Sequence, residues 1–163
     1  MNTRTQTEEY EKKRKDIVLT FIVGLGILFV CQCYVLLSVQ LPVQDFIILS
    51  CCLAGNVCMQ LGIYLRVKLL LEILHIVFLL FVFILIPCFA QSIHLLGLNV
   101  ICVIVTLAIR AEHGMCALRV LESPETRKPY DNWIVDQMNF NLLFTLVGVI
   151  CIIQMILKYK INK

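Results

Sequence analysis

Apolar residues along this chain gather into five long runs, at residues 17–41, 46–65, 69–90, 93–109 and 140–157. Three of the four breaks between them are short, and one, 110–139, is long. A helix rises about 1.5 Å per residue, so roughly 20 apolar residues cross a hydrocarbon layer of about 30 Å. The pattern predicts an all-α fold: a polytopic integral membrane bundle of five transmembrane helices, or four if 93–109 is re-entrant. That fourth run has only 17 residues, the lower limit for a crossing. A charged tail (1–16), a loop (110–139) and a basic tail (158–163) complete the layout.

The breaks carry their own signals. Thr5 with Glu8 fits a capping box, and Glu8–Lys12, Glu9–Lys13 and Glu11–Lys15 are i,i+4 pairs. The tail is therefore expected to be helical and to run into the first span. Residues 41–45 read as a tight turn before the second span, whose far end is marked by Arg66 and Lys68. Pro87 sits near the exit of the third, and Gln91-Ser92 is long enough only for a turn. After the fourth run, Ala111, Met115, Leu118 and Leu121 recur at helical spacing, an amphipathic extension weakened by Gly114. Tyr130 and Trp133 suit an interfacial belt ahead of the last span, with Asp131 as its N-cap.

The second run differs from the others. Ser50, Ala54, Cys58 and Gly62 follow one another every four residues, and Cys51 with Gly55 adds another pair of small residues. Small side chains let helix backbones approach closely, and amides in hydrocarbon seek partners across helices. This stretch is expected at the centre of the bundle, with those six residues as a packing face. Asn56 and Gln60, on a different side, are expected to make interhelical hydrogen bonds. In the first span Gly24 and Gly26 read as a packing notch, and Gln32 and Gln40 as further interhelical donors and acceptors.

Composition agrees: 60% of the 163 residues are apolar and 15% charged, leaving no room for a separate soluble catalytic domain. The net charge of +3 says less than its placement. With a cytosolic N-terminus and five crossings, eleven lysines and arginines lie on the cytosolic side, among them Lys12, Lys13, Arg14, Lys15, Arg66, Lys68 and Arg110. Three, Lys158, Lys160 and Lys163, lie on the other. Basic residues favour the cytosolic side, which sets the orientation in a plasma membrane or endomembrane. Lys12, Lys13, Arg14 and Lys15 also form a cluster able to meet anionic lipid. Eight of nine cysteines fall within or at the edge of apolar runs and are expected to behave as small apolar residues. Cys116, beside the membrane, is the candidate for palmitoylation.

Glu72 and His75 lie one turn apart near the start of the third span. An ion or proton site is one role for them, since intramembrane carboxylates mark functional sites; pairing of Glu72 toward Lys68 or the headgroups is the other. His94 is expected at the far interface, and Glu112-His113 on a solvated helix surface. No Gly-rich phosphate loop, HExxH or Gly-x-Ser-x-Gly is present, so no catalytic residue, cofactor or metal is expected. Neither nucleic acid nor a soluble small-molecule substrate is indicated. In size and hydropathy the chain resembles claudin-like and other tetraspan families, but Cys51-Cys52 precedes leucine inside a span and the first outer loop is a short turn. The expected function is non-enzymatic: packing in the lipid bilayer with a second copy or with other membrane proteins. The alternative is a small channel or transporter subunit with Glu72, His75, Asn56 and Gln60 along its path.

Overall fold

The computed structural model describes residues 3–65, 67–113 and 140–161, and among these all regular structure is helical. Helix α1 spans Thr3–Ser38, α2 Val43–Leu65 and α3 Lys68–Leu80. The third stretch continues through a π-helical turn, Phe81–Leu85, into α4, Ile86–Phe89. Helices α5, Ile93–His113, and α6, Phe140–Ile161, follow. The charged tail does continue into the first span as one helix. Five stretches are long and apolar enough to cross a membrane: Val18–Ser38, Val43–Leu65, Leu69–Phe89, Ile93–Glu112 and Asn141–Ile161.

The expected fourth span was marginal at 17 residues, yet α5 is a single unbroken helix of 21 residues, about 31 Å long. A re-entrant segment would have to turn back partway, and this helix does not. Successive stretches run in alternating directions. Lys158 Nζ, near the end of α6, donates to Gln91 O at the start of α5 (3.1 Å). At the opposite end, Arg110 Nε of α5 donates to Asn141 Oδ1 of α6 (2.8 Å).

Helix α5, rather than α2, holds the centre. It touches α1, the π turn, α4 and α6, whereas α2 packs chiefly on α1 and α3. The reason lies in which faces are apolar and bulky: Leu95, Leu96, Leu98, Asn99, Val103 and Ile109 of α5 are all buried. Leu95, Leu96, Leu98 and Val103 meet Val82 and Ile86 of the third stretch and Phe144, Val147 and Cys151 of α6 in one core, whereas Ile109 packs with Phe21 and Val105. A second cluster joins Leu25 to Met59 and Ile63. Buried residues make up only 11% to 33% of the most apolar window in each stretch. The outward surface carries large apolar side chains on every helix, including Leu37, Val43, Tyr64, Ile76, Ile104 and Ile161.

Gly24 provides the close approach of α1 to α5, because an added Cβ would lie 3.0 Å from both Ile109 Cδ1 and Val105 Cγ1. The same atom at Gly26 would meet nothing within 4 Å, so only the first of the two glycines is a notch. Gly24→Leu should accordingly force α1 off α5 and lower stability by about 1–3 kcal/mol, the usual cost of overpacking. Gly26→Leu should be near neutral. Thermal unfolding of both variants in one detergent checks the contrast, and equal midpoints would refute it.

Candidate functional site

The polar side chains of the interior gather where the backbone loses its own hydrogen bonds. Pro87 has no N–H. Ile86 N–H bonds Phe81 O, five residues back, which makes the turn π-helical. In that register Val82 O would be bonded by residue 87, a proline. Asn99, 1% exposed on α5, fills the gap: its Nδ2 donates to Val82 O at 3.1 Å and lies 3.4 Å from Cys151 Sγ. Gln154 Nε2 of α6 donates to Pro87 O (2.8 Å), and Gln44 Nε2 to Phe89 O (3.0 Å). Side-chain amides thus repair three carbonyls of one irregular stretch.

The start of α5 is served by a residue from far along the chain. Asp45 is fully buried, and its carboxylate accepts from the N–H groups of Gln91 (2.8 Å) and Ser92 (2.6 Å). The first N–H groups of a helix have no partner within it, and their end carries partial positive charge, so a carboxylate suits them doubly. Ser92 Oγ accepts from Leu95 N at 3.2 Å, completing the cap. Gln91 Nε2 donates to Gln44 Oε1 at 3.0 Å. Sequence spacing puts 41–45 in a turn; in fact α2 begins at Val43, and its first turn holds both Gln44 and Asp45.

A second amide group links α1 to α2. Asn56 Nδ2 donates to Leu25 O (3.1 Å) and lies 3.2 Å from Gln32 Oε1, while Gln60 Nε2 donates to Asn56 Oδ1 (2.9 Å). The interhelical role expected of Asn56 is seen directly, and Gln60 acts through it. Between this group and Asn99 lies a cleft of about 750 Å³ of empty space, counting its open mouth. About 80 Å³ of it can hold the centre of a water-sized group. Leu25, Leu49, Met59 and Phe78 form apolar parts of its wall.

The expected packing face divides. Gly62 is buried inside the chain, where its Cβ would come within 3.0 Å of Leu71 Cδ2. Ser50 Oγ donates to Phe46 O of its own helix (2.8 Å). Gly55 and Cys51 line the cleft, Cys51 being exposed at its edge, and Ala54 and Cys58 face outward. Glu72 is exposed and His75 half-buried; neither lines the cleft, to which α3 contributes Leu74, Val77 and Phe78. Among the described residues no three His, Cys, Asp or Glu side chains are grouped to hold a metal. Lys12 and Lys15 are exposed, while the side chains of Lys13 and Arg14, and the whole of Cys116, lie outside the described residues.

Asn99 and Gln154, polar residues within apolar runs, are expected from sequence to bond across helices, and both do. The roles of Asp45 and Gln44 are not legible there because each partner is remote. One signal was available: Pro87 within an apolar run implies stranded carbonyls, and donors for them must come from neighbouring helices. Searches of family models, curated proteins and solved structures find no match to this chain.

Asp45→Ala would strand the N–H groups of Gln91 and Ser92 and should cost about 1.5–3 kcal/mol, the worth of hydrogen bonds to a charged group. Asp45→Asn keeps one acceptor and should lose less. Hydrogen exchange at Gln91 and Ser92 should quicken in both variants, more in the alanine form. Unchanged protection there would rule out the cap.

Proposed function

We propose that this is a five-span membrane protein with a cytosolic N-terminus, acting non-enzymatically by helix association, first of all with a second copy of itself. One observation carries the association. On α2 the residues Ile47, Cys51, Ala54, Cys58, Leu61 and Leu65 are all exposed, and their spacing is 4, 3, 4, 3, 4. Alternation of three and four keeps one narrow seam facing a partner helix in a left-handed pair. The middle of the seam is small (Cys51, Ala54, Cys58) and its ends are large. Backbones can then approach closely at the centre while the ends interdigitate, which is how helices associate when lipid removes the hydrophobic drive.

The membrane setting is supported by the outward apolar surface and by the distribution of cations. With alternating helix directions, Lys68 and Arg110 fall at one end of the bundle, and Lys158 and Lys160 at the other. Basic residues mark the cytosolic end. The absence of catalytic motifs in the sequence and the seam together favour an assembly role over chemistry.

The seam holds two cysteines one heptad apart, which supplies a direct test. Mild oxidation of native membranes should trap a disulfide-linked dimer through Cys51 or Cys58. Ala54→Phe should reduce the yield at least about tenfold, equivalent to roughly 1.4 kcal/mol of association. Val57→Phe, off the seam, should not. A dimer band that persists after both cysteines become serine would show the contact to be elsewhere. For orientation, a glycosylation acceptor appended after Lys163 should be modified, and one placed in 110–139 should not; the reverse pattern would invert the topology.

A further inference from the structure

The cleft between α1, α2, α3 and α5 has a chemistry of its own. Its wall includes Gln32, Asn56 and Asn99 among apolar side chains, and none of its lining residues is charged. Asn56 is fully engaged through both atoms of its amide. Asn99 is not: its Nδ2 is committed to Val82 O and Cys151 Sγ, while Oδ1, buried, has no hydrogen-bond partner. A buried acceptor left without a donor is destabilising, so a group that supplies one is favoured there.

The cleft opens sideways. Of its lining residues Cys51 on α2 and Val77 on α3 are exposed, and Gly55 on α2 leaves open space where a side chain would stand. In a single copy those positions face the region that lipid chains fill in the membrane setting proposed above. Helices α2 and α3 are tight at Gly62 and Leu71, near their connection, while Cys51 and Val77 of the same two helices line the cleft.

We infer that this cleft binds the hydroxyl end of a membrane lipid, entering between α2 and α3 and donating its O–H to Asn99 Oδ1. Charge excludes the main alternatives, since an ionic headgroup would find no counter-charge on these walls. Water alone fits poorly: a buried water needs two to four polar partners, and among the described lining residues Asn99 Oδ1 is the one buried side-chain acceptor without a partner. The cleft admits water-sized groups, which suits a hydroxyl and the first carbons behind it. The rest of the molecule stays in the mouth among neighbouring lipid. Asn99 lies six residues into α5 from Ile93, about 9 Å along the helix, so the ligand comes from the leaflet at the Asp45 end. Sterols and diacylglycerols both present one uncharged hydroxyl on an apolar body.

The test uses the full chain in single-copy nanodiscs of phosphatidylcholine, so that loss of self-association cannot imitate loss of the site. Photoreactive sterol and photoreactive diacylglycerol are added separately, each beside its O-methyl ether. One of the alcohols is expected to label peptides that line the cleft, about fivefold or more above its ether, the worth of one net hydrogen bond; which alcohol does so identifies the source. Gly55→Phe should abolish labelling by filling the mouth, and Asn99→Leu should erase the preference for alcohol over ether. The comparison of alcohol with ether on the unmodified chain needs no variant to fold. Equal labelling by alcohol and ether, labelling confined to the outer surface, or none at all would overturn the inference.

Discussion

Everything in this bundle turns on one demand: a backbone carbonyl or N–H away from water must find a partner inside the protein. Regular helix meets the demand automatically, which is why five apolar stretches can stand side by side with few polar contacts among them. The third stretch breaks the rule at Pro87, and much of the specific architecture follows from its repair. Asn99, Gln154 and Gln44 each reach in from a different helix to serve Val82, Pro87 and Phe89. The same demand at the start of α5 draws in the carboxylate of Asp45. Apolar packing brings the helices together; these few polar contacts fix which helix lies where.

That division explains what could be read from sequence. The five stretches were legible because length and hydropathy are local properties; their ends shift by up to about a turn, as at the fourth, where 17 apolar residues become a helix of 21. The extra turn is Arg110 to His113, polar residues that hydropathy excludes but helical propensity accepts. Asn56 was legible too, since an amide in an apolar run has few uses besides bonding across helices. Asp45 was not, because its partners lie 46 and 47 positions further along, and nothing nearby distinguishes it from a turn residue. Nor was the centre of the bundle: small residues advertise close approach without saying from which side, and α2 turns much of that face outward.

The small residues of α2 therefore serve more than one end. Gly62 admits Leu71 and closes the hairpin between α2 and α3; Gly55 leaves a gap on the cleft wall; Cys51, Ala54 and Cys58 sit on the outside. A spacing of four residues joins all of them on paper, but a real helix turns 100° per residue, and over four turns a four-residue ladder drifts around the axis. The outward seam obeys the alternating three-and-four rule instead, so it stays aligned along the length of the helix.

The contact from Asp45 to the α5 start also bears on how the molecule is made. The carboxylate lies in the first turn of α2 and its partners 46 and 47 positions further along, so a hairpin of α1 and α2 taken alone carries an acid without its counterpart. A carboxylate is costly to bury unpaired, so the burial of Asp45 depends on the third stretch folding back to bring Gln91 and Ser92 beside it. One side chain thereby makes the early hairpin and the later helices a single cooperative unit.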